Sequence, residues 1–285
     1  MNSPAPKIAL VTGASSGIGL AASLALADSG FVTYATARRP EAVTELQSRG
    51  LRSLLLDVTD EASMVTAVQE IEARNGAIDL LVNNAGYSEL GPVEEIPLDR
   101  IRRQFETNVF GLIRLCQRVI PGMRRRHRGR IINISSMGGE FTTPFSGIYH
   151  ASKYAVEAVS DALRSELQPF GIDVIVIQPA VVRSPQPEGN QAKPPFQVEA
   201  ASPYAAPMAR FGQFLAQNLS EGDANAITPA DVGAVILRSA LAEHPETRYR
   251  VGREADELIA LRRRLSDREW DAIYQPLFRP EDDSA

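Results

Sequence analysis

Tyr149 and Lys153 lie four residues apart at the head of a helical stretch, Ile148 to Gln168. At that spacing two side chains share one helical face, a turn apart. An ammonium held beside a phenol favours the phenolate, which draws a tyrosine with an ordinary pKa of about 10 toward proton exchange near neutral pH. That is the chemistry of a general acid and base. The same pair occurs on many ordinary helices, so its meaning depends on what the rest of the chain brings to it. His150, one residue along, is turned about 100° away and reads as a packed or solvated side chain.

The elements that position this pair alternate strand and helix. Apolar, β-branched runs at Lys7 to Val11, Phe31 to Thr36, Leu51 to Leu56, Ile78 to Val82, Arg130 to Ile134 and Ile172 to Ile177 predict strands. Helical patterns fall between them at Ile18 to Ser29, Glu41 to Ser48, Glu61 to Arg74, Asp99 to Arg126 and Ile148 to Gln168. Near-continuous Val, Ile and Leu in the strands indicates a parallel sheet covered on both faces, a doubly wound α/β fold of the Rossmann type. Further helices are expected at Phe211 to Leu219 and from Thr228-Pro229 to Glu243, then a strand at Tyr249 to Val251 and two closing amphipathic helices. With no linker or internal repeat, residues 1–285 read as one domain, 184–226 as a substrate loop or lid, and 1–6 and 280–285 as disordered ends.

Composition narrows the function classes. With 44% apolar and 23% charged residues, a net charge of −5 and a pI near 5.4, the surface does not suit phosphate backbones or anionic lipid. No stretch resembles a signal peptide or approaches eighteen uninterrupted apolar residues, so a cytoplasmic protein is expected. Cys116 stands alone and the histidines at 127, 150 and 244 are scattered, which argues against disulfides and metal ligation. Five arginines between Arg124 and Arg130 read as cations offsetting the dipole at a helix C-terminus rather than as a nucleic-acid patch.

Between the first strand and first helix lies Thr12-Gly13-Ala14-Ser15-Ser16-Gly17-Ile18-Gly19. Glycines let the backbone turn sharply and approach a pyrophosphate, whose charge the free N–H groups at the helix start can bind. After the second strand, where a carboxylate would select NAD, the chain reads Thr36-Ala37-Arg38-Arg39. A guanidinium there fits the 2′-phosphate of NADP.

Together these residues resemble the short-chain dehydrogenase/reductase family, from about Lys7 to Ser184. The resemblance adds Asp57 and Val58 as an adenine contact, Asn84, Ala85 and Gly86 of the Asn83 to Gly86 motif, and Asn108 on the long helix. The family serine matches Ser136, thirteen residues before Tyr149, and Pro179, Val182 and Ser184 fall where relatives hold the nicotinamide. Ala180 departs from the usual glycine and restricts that turn. The stretch Tyr34 to Arg38 is similar to NADP-using 17β-hydroxysteroid and retinol dehydrogenases.

The resemblance implies hydride transfer between NADPH and a carbonyl. Tyr149 would exchange the proton, Ser136 would hold the carbonyl oxygen, Lys153 would hold the ribose and lower the tyrosine pKa, and Asn108 would anchor a relay water. It also implies a homodimer or homotetramer through the long helices. Phe141, Phe145, Phe196, Met208, Phe211 and Phe214 suggest a largely apolar pocket for a lipophilic ketone. Competing readings are an NAD-dependent alcohol dehydrogenase, a nucleotide-sensing protein without turnover, disfavoured because Tyr149 and Lys153 are present, and a lyase such as a halohydrin dehalogenase, disfavoured by the intact glycine loop. NADPH is expected to bind more tightly than NADH; fluorescence titrations showing the reverse order would overturn the reading of Arg38.

Overall fold

The computed structural model describes residues 6–182, 197–218 and 227–279. Expectations for Ser184, for Phe196, for 184–196 and 219–226 of the loop, and for residues 1–5 and 280–285 lie outside the described residues.

Seven parallel strands form one sheet: β1 (Ile8–Val11), β2 (Val32–Ala37), β3 (Arg52–Leu55), β4 (Leu80–Asn83), β5 (Gly129–Ile134), β6 (Ile172–Pro179) and β7 (Arg248–Val251), in the order β3-β2-β1-β4-β5-β6-β7. Alternate side chains on a strand point to opposite faces, and both faces are buried. Ala9, Val11, Leu80, Val82, Ile132, Ile134, Ile175 and Ile177 face helices α1 (Gly17–Asp28), α2 (Pro40–Ser48) and α8 (Pro229–Leu241). Ile8, Leu10, Leu81, Ile131 and Val174 face α3 (Glu61–Asn75), α5 (Gly111–Arg125) and α6 (Gly147–Leu167). This two-sided burial is why the strands read as largely apolar runs.

The expected long helix from Asp99 to Arg126 is instead two helices. α4 (Leu98–Phe105) runs into a π turn, Glu106–Phe110, before α5 begins at Gly111. The Gly111 N–H bonds the Glu106 carbonyl, five residues back, which defines the wider turn. A Cβ on Gly111 would lie 2.6 Å from the Val58 carbonyl oxygen, so only glycine lets α5 seat against that loop. A second difference is α7 (Ala205–Asn218), which starts six residues before the expected Phe211. Pro207 falls in its first turn, where an N–H has no intrahelical partner to lose. The chain closes with α9 (Arg253–Arg264) and α10 (Asp267–Tyr274).

The arginine-rich stretch holds the fold at two helix ends. Arg124 and Arg125 sit in the last turn of α5, and Arg126 pairs with Asp79 at 2.8 Å and donates to the Ile78 carbonyl. Arg130 pairs with Asp173 at 2.6 Å, and its Nη1 donates to the Ser239, Ala240 and Ala242 carbonyls at the C-terminus of α8. Those carbonyls have no intrahelical partner. Arg130→Ala is therefore expected to destabilise the fold by about 2 kcal/mol, read as a lower urea midpoint at unchanged m-value.

Candidate active site

Strand order reverses between β1 and β4: β2 and β3 lie on one side, β5 to β7 on the other. Such a reversal opens a crevice at the carboxyl ends of the strands, where ligands bind in open α/β sheets. The loops after β1 and β4 meet there. Gly13 and Gly17 take left-handed conformations at φ +64° and +56°, which glycine adopts without cost. A Cβ on Gly19 would lie 2.4 Å from the Gly13 carbonyl oxygen and 2.5 Å from Asn84 Nδ2. Thr12 Oγ1 accepts from the backbone N–H groups of Asn84 and Ala85, both at 3.0 Å. Asn84 Nδ2 returns to the carbonyls of Thr12 (2.9 Å) and Gly13 (3.1 Å).

The start of α1 has no side-chain cap from Ser16 and no acid in its first turn. Its N–H groups and the positive end of its dipole suit an anion, with Ser15, Ser16 and Ile18 partly exposed beside them. Arg38 and Arg39 are exposed beyond β2, and no carboxylate takes their place. Asp57 Oδ1 accepts from the N–H and hydroxyl of Thr59 at 2.9 and 2.8 Å, and Val58 is buried. These residues fit a dinucleotide diphosphate.

Across the crevice, Ser136 follows β5. Its Oγ accepts from the Gly138 N–H at 3.1 Å, and its hydroxyl lies near enough to the Tyr149 phenol to favour the phenolate. Lys153 Nζ lies 5.8 Å from the centre of the Tyr149 ring and donates to the Ile134 carbonyl at 2.8 Å. Burial pushes the lysine pKa down to about 8, against the opposing pull of Glu157 one turn on. The Tyr149 pKa is raised, not lowered: burial of the phenol outweighs the effect of the Ser136 hydroxyl. The expected depression by Lys153 is thus corrected for the protein alone, because desolvation penalises the phenolate and the ammonium is engaged with Ile134.

Asn108 lies in the π turn. Its Oδ1 accepts from the Tyr87 N–H (3.1 Å), and its Nδ2 donates to the Tyr87 carbonyl (2.9 Å) and to Ser152 Oγ (3.0 Å). Ser152 Oγ in turn donates to the Tyr149 carbonyl at 2.6 Å. The loop through Gly86 is thereby tied to α6. Sequence reasoning missed Tyr87, Ser152 and Gln104; the last stands four residues before Asn108, a spacing that would have flagged it. β6 ends at Pro179, and the Ala180 N–H bonds the Val251 carbonyl at 2.8 Å. Gly252, at φ +94°, leaves room for the Ala180 methyl, since a Cβ there would lie 3.0 Å from it. Val182 forms an isolated bridge with Ile227.

Several expected pocket residues are core. Phe141 is 2% exposed and packs edge-on to Trp270 at 5.3 Å. Phe145 and Phe211 are buried against each other at 5.6 Å, with Leu277 and the partly buried Met208 and Phe214 around them. Among the described residues, no cluster of His, Cys, Asp and Glu could hold a metal ion, and no helix is long and apolar enough to cross a membrane. Burial raises the Cys116 thiol to about 12, which makes it unreactive.

The sequence pattern of the short chain dehydrogenases matches residues 7–194. The chain belongs to the short-chain dehydrogenase/reductase family. A short-chain dehydrogenase from Streptomyces avermitilis is 34% identical and superposes with a TM-score of 0.80, covering 96% of this chain and 99% of its own. The oxidoreductase YbbO of Escherichia coli is 35% identical over 94% of both chains. A 3-ketodihydrosphingosine reductase from Bacteroides thetaiotaomicron is 42% identical over 61% of this chain, which spans 63% of that relative.

Within this short-chain dehydrogenase/reductase, His150 is a packed side chain. Its Nδ1 lies 3.2 Å from Thr142 Oγ1, and its ring presses on Gly138, where a Cβ would sit 2.2 Å from His150 Cδ2. Burial pushes its pKa down to about 4. The unfolded chain takes up this proton near pH 6.5 and the folded chain only near 4, so stability is lost as pH falls through that window. Between pH 7 and pH 5 the loss should be about 2 kcal/mol. His150→Asn should remove that increment, seen by comparing urea unfolding of both proteins at the two pH values.

Proposed function

We propose that this short-chain dehydrogenase/reductase transfers hydride between NADP(H) and a carbonyl or secondary alcohol of a lipophilic substrate. The observation that carries the reading is the joining of Ser136, Tyr149 and Lys153 at the end of β5, across the crevice from the glycine loop. Thr12 to Gly19 would hold the diphosphate, Arg38 and Arg39 the 2′-phosphate, Asp57 and Val58 the adenine end, and Asn84 to Gly86 the adjoining ribose. Pro179, Val182 and Ser184 would flank the nicotinamide. The bound cofactor supplies the hydride.

The chain's own residues supply position and protons. Ser136 would hydrogen-bond the substrate oxygen and align it with Tyr149. Tyr149, kept protonated by its burial, donates its phenol proton to the developing alkoxide in the reductive direction and recovers one through Lys153. Asn108 keeps α6 in register with the cofactor loop. Phe278, 45% exposed and stacked on the buried Phe145 at 5.7 Å, offers an apolar surface in keeping with such a substrate. The name of the Bacteroides relative, a reductase of a ketone, agrees with that direction. Exposed Phe110 and Tyr154 near the long helices support a homodimer or homotetramer.

Tyr149→Phe is expected to lower kcat/KM by about 10²–10⁴-fold while leaving NADPH affinity unchanged, followed by NADPH absorbance with a panel of ketones. Full activity in the variant, or wild-type turnover confined to small, highly charged carbonyl compounds, would overturn the reading.

A further inference from the structure

We infer that Gln104 is a positioning residue that clamps the loop through Gly86 and Tyr87 and thereby sets cofactor affinity. The inference rests on the nucleotide reading of that loop. Gln104, on α4, is 0% exposed, and its Nε2 donates to the Tyr87 carbonyl at 2.9 Å. Asn108 Nδ2 donates to the same oxygen at 2.9 Å. A carbonyl oxygen has two lone pairs, and here two side-chain amides four residues apart occupy both. Asn108 Oδ1 takes the Tyr87 N–H as well, so the backbone of Tyr87 is held from both its polar groups. The residues just before it, Asn84 to Gly86, are the ones interlocked with Thr12 and Gly13.

The other end of Gln104 shows that the residue is not there for stability. Its Oε1 is buried with no hydrogen-bond partner among the described residues. Turning the amide over would set oxygen against the Tyr87 carbonyl, so the orientation is fixed by its donor. A leucine of similar size would avoid the unpaired oxygen and pack well in its place. What leucine cannot supply is the N–H that Tyr87 accepts. The π turn contributes by bringing Asn108 to the same carbonyl, and Asn108 passes the constraint through Ser152 to the backbone of Tyr149.

The test compares wild type, Gln104→Leu and Gln104→Glu by hydrogen–deuterium exchange of the cofactor-free proteins, by thermal melting and by NADPH titration. Gln104→Leu should keep or raise the melting temperature, yet speed exchange of the Tyr87 N–H and weaken NADPH binding, each by about tenfold. Gln104→Glu should bind NADPH weakly as a carboxylate and recover as the pH is lowered and the carboxyl gains a proton to donate, a dependence that packing alone does not produce. A Gln104→Leu protein with a lower melting temperature but wild-type Tyr87 exchange would overturn the clamp. Faster Tyr87 exchange in Gln104→Leu, with no NADPH binding by either protein, would support the clamp and overturn the nucleotide reading instead.

Discussion

The threonine hydroxyl of Thr12 receives two backbone N–H groups from the neighbouring loop, and the Asn84 amide returns two bonds to the carbonyls of Thr12 and Gly13. This exchange spans the point where strand order reverses, the one place in a parallel sheet where two adjacent loops part and leave a crevice. It has a steric condition. Gly19 must lack a Cβ, because that atom would fall within 2.5 Å of both partners. Once the two loops are locked, the start of α1 faces the crevice with its N–H groups, and every other part of the site is placed relative to that edge.

The side of the crevice that holds Tyr149 and Lys153 is governed by burial. Lys153 and Tyr149 are charged or chargeable groups in a low-dielectric setting, and in both the neutral form gains. A polar framework compensates. The Ile134 carbonyl takes the ammonium, the Ser136 hydroxyl lies near the phenol, and Glu157, held by Gln178 at 3.0 Å and Arg248 at 3.0 Å, supplies a countercharge one turn beyond Lys153. Beneath it, Asn83 and Asn133 are bonded at 2.9 Å and Asn133 reaches Ser160 on α6, so the sheet and α6 share one buried network. Such a network is tolerated because its members find partners.

Much of the scaffold was legible because local patterns decide it. Six largely apolar runs marked six strands to within two residues, since burial on both faces keeps most strand positions apolar. Thr228-Pro229 marked the start of α8, where Thr228 and Asp231 form a capping box. The π turn was not legible. No residue type encodes it, and it leads directly into Gly111, which packs against the Val58 carbonyl. The aromatic residues expected in the pocket misled for a related reason, as Phe141 and Phe145 are apolar whether they meet a substrate or Trp270 and Phe211.

By itself the sequence determined the fold class and the family, because strand periodicity, glycine spacing and the order of motifs are properties of the chain read in one dimension. Tertiary structure decided their states. It raised the Tyr149 pKa and lowered that of Lys153, since desolvation depends on what surrounds a group and not on what precedes it. It also brought Gln104 and Asn108 to one carbonyl, since hydrogen bonds across seventeen and twenty-one residues depend on a turn whose width the sequence does not state.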